Sequence, residues 1–172
     1  MGRFVHGHGR GKRATSLRGV ARVLVTGMSG TGKSSVLGVL AGRGHRVVDT
    51  DADEWSEWVD GDWLWDERAI GELLAGHADG HLFVAGCRTN QGRFCDRFEA
   101  VVLLSAPAEG LLARIDARAD NPYGKSGEER ELVLRHLAEV EPLLRATASA
   151  ELDATAPLAE VADRLEAIAA AA

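Results

Sequence analysis

The sequence predicts an α/β protein: a five-stranded parallel sheet between two layers of helices, carrying a short lid. Three observations point there. Short apolar β runs such as 21–26 and 100–105 alternate with helical patterns, the order expected of βαβ units and a parallel sheet. The first run delivers the chain into Gly27-Met28-Ser29-Gly30-Thr31-Gly32-Lys33-Ser34, which satisfies G-x-x-x-x-G-K-[ST] just where a helix opens. Later, residues 119–127 break the helical pattern with a proline and two glycines, the composition of a loop that can close over a reaction.

The glycine-rich loop carries the chemistry. Polyphosphate oxygens must be met by several backbone N–H groups at once, and glycines let the backbone curl that closely. Gly27, Ser29, Gly30, Thr31 and Gly32 supply that cradle, and Ser35 opens a helix whose positive dipole end adds to it. Lys33 reaches for the β- and γ-phosphates, and the Ser34 hydroxyl is a Mg²⁺ ligand. The expectation is a three-layer αβα P-loop NTPase that uses ATP and Mg²⁺.

Composition narrows the class. A chain of 172 residues, 45% hydrophobic, fits one domain with a real core. No stretch approaches the roughly 20 apolar residues that span a bilayer. Cys87 and Cys95 show neither metal nor disulfide-framework spacing, which favours a reducing cytoplasm. Arg3, Arg10, Lys12, Arg13 and Arg18 stand without an acid in a Gly-rich leader, while the whole chain is at −6. We therefore expect a disordered basic leader over 1–19, lacking a secretory apolar region, and a phosphate-loop domain over 20–172. The acidic body argues against nucleic acid as a partner, and no membrane partner is expected.

Along the chain, Ala21–Thr26, Arg46–Asp49, 81–86, Ala100–Ser105 and 151–155 read as strands. Helices are expected over 33–41, 66–75, 108–118, from a Ser126-x-x-Glu129 capping box to about 145 with a break at Pro142, and over 158–170. Asp49-Thr50-Asp51 ends the second strand, at the sheet edge where ligands bind in such folds. Asp49 suits Mg²⁺ and Asp51 suits a hydroxyl that must lose a proton; helix capping is the plainer reading of the pair. All four tryptophans, Trp55, Trp58, Trp63 and Trp65, fall within eleven positions. Trp55 and Trp58, three apart, read either as one face of a core helix or as a wall for a flat acceptor, with Trp58 the candidate contact. After the third strand, Arg88, Asn90 and Gln91 should face the phosphate loop as candidate acceptor contacts, Arg88 also being readable as a surface residue. Arg114 and Arg118 lie four apart, on one helix face, where they could present two cations to a migrating phosphoryl group.

The Gly-rich loop followed by Asp-Thr-Asp resembles shikimate kinase and, more broadly, the adenylate-kinase-like small kinases, including gluconate kinase. That resemblance implies a magnesium-associated Asp49, an Asp51 that binds substrate hydroxyls, and acceptor-binding helices over 54–76. It implies that Arg114 stacks on adenine, Arg118 bears on the transferring phosphoryl group, and the backbone around Ala156 and Pro157 holds the base. It also places Arg135 among acceptor- or phosphate-binding arginines. Such small kinases are commonly monomers, so a monomer or weak homodimer is expected. The chain departs from shikimate kinases at Ala85-Gly86-Cys87, where that family has a glycine-rich triplet, which argues against shikimate as the acceptor.

The functional expectation is an ATP–Mg²⁺ phosphotransferase acting on a small molecule, a hydroxyl-bearing metabolite or antibiotic, with Lys33, Asp51 and Arg118 as catalytic residues. A nucleoside monophosphate kinase is the rival among enzymes. A non-catalytic NTP-dependent switch or binding protein is the rival of another class.

Overall fold

The computed structural model describes residues 19–119 and 121–172. The basic leader, but for Gly19, lies outside the described residues, as does Asp120 of the lid segment.

In chain order, β1 (Ala21–Thr26) leads through the phosphate loop to α1 (Lys33–Gly42) and β2 (Arg46–Asp49). A 3-10 turn (Asp53–Trp55) precedes β3 (Ser56–Val59) and β4 (Asp62–Trp65), then α2 (Glu67–Gly76) and β5 (His81–Ala85). A 3-10 helix (Gln91–Arg97) joins β5 to β6 (Ala100–Ser105). There follow α3 (Ala108–Ala117), α4 (Gly127–Glu139), α5 (Glu141–Thr147), β7 (Ala150–Asp153) and α6 (Leu158–Ala171).

Five strands form one sheet in the order β2-β5-β1-β6-β7, every neighbouring pair parallel. A continuous apolar β1 suits that central place, because a strand covered on both faces has no side to leave polar. Val36, Leu37 and Leu40 of α1 join Val161 and Leu165 of α6 in one buried cluster with Val23 and Val25. Ile70 and Leu74 of α2 and Phe94 of the 3-10 helix join Leu24 and Val84 in a second. The chain leaves β1 toward β2 and later returns to β6 on the other side. The carboxyl end of β1 is thus the point where strand order reverses, and ligands bind there in open α/β sheets.

The expected helix through Trp55 and Trp58 is instead a β-hairpin. Val59 pairs with Asp62 across a two-residue turn, Asp60 at φ 52° and Gly61 at φ 91°. Asp-Gly adopts two successive positive φ values cheaply, and such a turn matches the twist of the flanking strands. Ser56, Trp58, Trp63 and Trp65 share one face of the hairpin, and distance from the turn sets their burial. Trp65 is buried at 1% exposure while Trp58, at 71%, lies exposed against the ring of Trp63, 5.3 Å away.

The long helix after the lid is divided as its proline requires. Ser126 and Glu129 form the reciprocal capping box of α4, and Pro142 sits in the first turn of α5, where its missing N–H costs nothing. Arg145 of α5 bridges Glu141 (2.7 Å) and Glu151 of β7 (2.8 Å), fastening the helix to the edge strand. The Arg145 guanidinium and then the Ser105 hydroxyl hold the Glu151 carboxyl down at about 2. A carboxyl lowered on folding stabilises above its unfolded value, and that contribution is lost as pH falls from about 4.5 toward 2. Solvent screens the pair, so Glu151→Gln should cost only about 1 kcal/mol or less at pH 7. Urea midpoints should then show a smaller gap between variant and parent at pH 3 than at pH 7.

Candidate active site

The phosphate loop is shaped by contacts its sequence dictates. Gly27 has φ 151°, and a Cβ there would lie 2.4 Å from the Leu104 carbonyl oxygen of β6, so no side chain fits. Gly32 caps α1 in the left-handed region at φ 87°, which turns the chain into the helix. Thr31 donates its hydroxyl to the Met28 carbonyl (2.9 Å), bracing the loop from within rather than facing the cleft. Lys33, in the first turn of α1, donates Nζ to the carbonyls of Gly27 (2.8 Å) and Met28 (3.2 Å). Burial pushes its ammonium below the ordinary lysine value, with Asp51 chief among the groups that pull it back up. A polyphosphate would supply the counter-charge this buried cation lacks.

The two aspartates of the triplet divide as their backbone directs. Ser34 donates Oγ to Asp49 Oδ2 at 2.5 Å, and the Asp51 amide donates to Oδ1 of the same carboxylate at 3.1 Å. A hydroxyl and a carboxylate on adjoining elements are the oxygen donors that a hard cation such as Mg²⁺ takes while keeping several waters. Asp51 points elsewhere: its Oδ1 lies 3.1 Å from Arg88 Nη1. Arg88 also donates to the Cys87 carbonyl (3.2 Å) and Ser56 Oγ of the hairpin (3.4 Å), so its guanidinium is fixed at the edge of the cleft. Burial pushes the neighbouring Cys87 thiol up, while Lys33 pulls the other way.

Thr50, between the two aspartates, is the residue that sequence reasoning passed over. It is wholly buried, donates Oγ1 to the Ala85 carbonyl at 2.7 Å and accepts the Trp65 indole N–H at 2.8 Å. A Cβ on Gly86 would come within 2.0 Å of Thr50 Oγ1, so the Gly after β5 exists to admit this hydroxyl. Asn90 completes the joint, its side-chain amide exchanging two 3.0 Å hydrogen bonds with the Trp65 backbone. Thr50→Val should strand the indole N–H and destabilise by about 1–3 kcal/mol, read as a lowered denaturation midpoint with unchanged slope.

One cleft of about 1040 Å³ takes in the loop residues Gly27, Ser29, Gly30, Gly32, Lys33, Ser34 and Ser35 together with Asp51, Arg88 and Gln91. Arg114, Arg118 and Ala156 line it too. Gln91 is buried, and its side-chain oxygen accepts from the Thr26 hydroxyl at 3.2 Å, so it braces the floor. Arg114 donates to the Ala154 carbonyl at 2.5 Å, and Arg118, at the mouth of the lid segment, donates to the Tyr123 carbonyl at 3.3 Å. The buried Nε of Arg118 has no hydrogen-bond partner among the described residues, a donor that an anion in the cleft could use.

Besides Thr31, which braces the loop, Asp49, which sits behind Ser34, and Asn90, which holds Trp65, three expected contacts fall off the cleft wall. Trp58 lies exposed next to the hairpin's turn, away from the end where Trp65 is buried. Arg135 is exposed on α4, its neighbour His136 being the residue that lines the cleft. Pro157 serves as the cap of α6, and Ala156 and Leu158 on either side line the wall instead. His136, Val140 and Leu143 at α4 and α5, and Tyr123 of the lid segment, line it without having been singled out, since ordinary residues on a helix or loop carry no chemical signature.

No curated protein matches the sequence. Solved structures resemble the fold. Shikimate kinase from Acinetobacter baumannii in complex with shikimate superposes with a TM-score of 0.63 at 18% identity, over 87% of this chain and 93% of that one. A sugar kinase from Janibacter sp. HTCC2649 gives 0.57 at 21% identity, over 89% and 98%, and a gluconokinase from Sinorhizobium meliloti 1021 gives 0.54 at 20%, over 87% and 91%. Each likeness is one of architecture, and it agrees with the parallel sheet and phosphate loop described above. A family model described as an AAA domain matches residues 23–135, from the first strand through the lid segment into α4. With that span covering the phosphate loop and both aspartates, the chain belongs to the AAA-domain family and carries it on a shikimate-kinase-like P-loop kinase fold.

Proposed function

We propose that the protein is a kinase that moves the γ-phosphoryl group of ATP onto a hydroxyl of a small molecule. The observation that carries this reading is the sharing of one cleft by Lys33 and Asp51, with Arg88 fixing the carboxylate 3.1 Å away. An NTP switch needs the loop but has no use for a positioned carboxylate at the acceptor end.

The residues divide the reaction between them. Lys33 and the loop N–H groups hold the β- and γ-phosphates and offset their charge. Magnesium held by Ser34 and Asp49 would neutralise the charge that develops on those phosphates. Asp51 aligns the acceptor hydroxyl and takes its proton as the new O–P bond forms and the bond to the β-phosphate oxygen breaks, releasing ADP. Arg118 offers its unpartnered Nε to the migrating group, and Arg114 with Ala156 frames the base. The cleft takes no nucleic acid or membrane partner in this reading. Among the described residues no helix is long and apolar enough to cross a membrane. We place the protein in the cytoplasm as a monomer or weak homodimer, consistent with Cys87 and Cys95 both being free.

One observation favours the rival acceptor, a nucleoside monophosphate: Arg88 is a cation at the acceptor end, and a phosphate could draw it away from Asp51. A coupled assay for ADP across sugars, nucleosides, nucleoside monophosphates and aminoglycosides tests both readings. Acceleration by a hydroxyl acceptor supports the first and by a monophosphate the second. Slow hydrolysis that no acceptor accelerates supports the switch.

A further inference from the structure

Beyond the phosphate loop, the cleft takes in Gln91 and Gly92 of the 3-10 helix together with Val140, Leu143 and Thr147 at α5. Most polar capacity here is already used. The Gln91 side-chain oxygen is taken by Thr26, and the Thr147 hydroxyl donates to the Leu143 and Leu144 carbonyls of its own helix at 3.5 and 3.1 Å. Charge is scarce as well. Arg88 is balanced by Asp51, and His136 is the one ionisable side chain that α4 and α5 bring to the cleft. His136 has no polar side-chain partner among the described residues, so it is free to meet a heteroatom. Leu143 is 66% exposed although its neighbour Leu144 is buried in the core. A lone exposed leucine means nothing, but beside Val140 on the wall of a reaction cleft it makes an apolar face. A free sugar or sugar acid would set several hydroxyls against that face, where α4 and α5 offer His136 alone to meet them.

Resting on the phosphotransferase reading, we propose that the acceptor is an uncharged hydroxy compound built on an apolar or flat ring. The ring lies against Val140 and Leu143 while the hydroxyl reaches Asp51. Nucleosides and aryl glycosides have this chemistry.

Calorimetry on the full chain, with Mg²⁺ and a non-hydrolysable ATP analogue present, tests it with two matched pairs: uridine against ribose, and phenyl β-glucoside against glucose. In at least one pair the ring-bearing member should bind about tenfold or more tightly. Leu143→Asn should erase that gap, and because Leu143 is exposed the variant keeps its core. Leu134→Asn, on an exposed part of α4 away from the cleft, should leave the gap in place. No preference or no binding in both pairs, or a gap that survives Leu143→Asn, overturns the proposal. Binding is read here without turnover. Missing phosphorylated product in parallel assays would count against the phosphotransferase reading, whereas equal binding within the pairs counts against the ring alone.

Discussion

Lys33→Met should lower phosphoryl transfer by about 10³ or more while leaving the fold as stable as before. The two halves of this expectation have separate causes. Lys33 is 9% exposed, and its partners in the protein are the carbonyls of Gly27 and Met28. Burial without a neutralising contact disfavours the charged form, which is why its pKa is lowered. Methionine fills a similar length without a charge to desolvate, so losing two carbonyl contacts is offset and the unfolding midpoint should move by about 1 kcal/mol or less. What disappears is the only buried cation of the loop. Mg²⁺–ATP at about 100 times its dissociation constant should stabilise the parent by about 2.7 kcal/mol. That ligand-induced shift should be absent in Lys33→Met, and thermal denaturation with and without Mg²⁺–ATP measures it directly.

Asp51→Asn should separate the two acceptor classes. A hydroxyl must lose a proton as it attacks, and a positioned carboxylate contributes about 10²–10⁴ to such a step. Asparagine keeps the shape but neither takes the proton nor balances Arg88 across 3.1 Å. The rate with a hydroxyl acceptor should therefore fall about 10²-fold or more. A phosphate acceptor arrives already deprotonated and would gain a freed guanidinium, so its transfer should be spared. Steady-state rates with both acceptor types decide, and retention of full hydroxyl-kinase activity would remove Asp51 from the reaction.

How much of this was legible in the sequence depended on how local the cause is. The phosphate loop was readable because its geometry is written in consecutive residues: Gly27 and Gly32 adopt conformations that few others can. The parallel sheet was readable because β1 and β6, covered on both faces, are apolar along nearly their whole length. The capping box at Ser126 and the break at Pro142 followed from side-chain chemistry in the same way. The hairpin was missed because Trp55 and Trp58 are three apart, a helical spacing, while the decisive signal was the Asp60-Gly61 pair between two short strands. Thr50 was missed for a different reason. Its partners, Ala85 and Trp65, meet it only through the tertiary fold, and a buried threonine has no motif. The apolar wall at Val140 and Leu143 was invisible for the same cause, since apolar residues of a helix carry no mark until the fold brings them to the cleft that also holds Asp51.

The central claim is that the loop and the carboxylate serve one transfer reaction. Phosphorus NMR of the protein with Mg²⁺–ATP and a pool of hydroxyl acceptors follows the γ-phosphorus itself. The expected result is a growing phosphomonoester resonance matched by loss of the γ signal, absent in Lys33→Met. Loss of the γ signal to inorganic phosphate alone, or a spectrum that does not change, would contradict it.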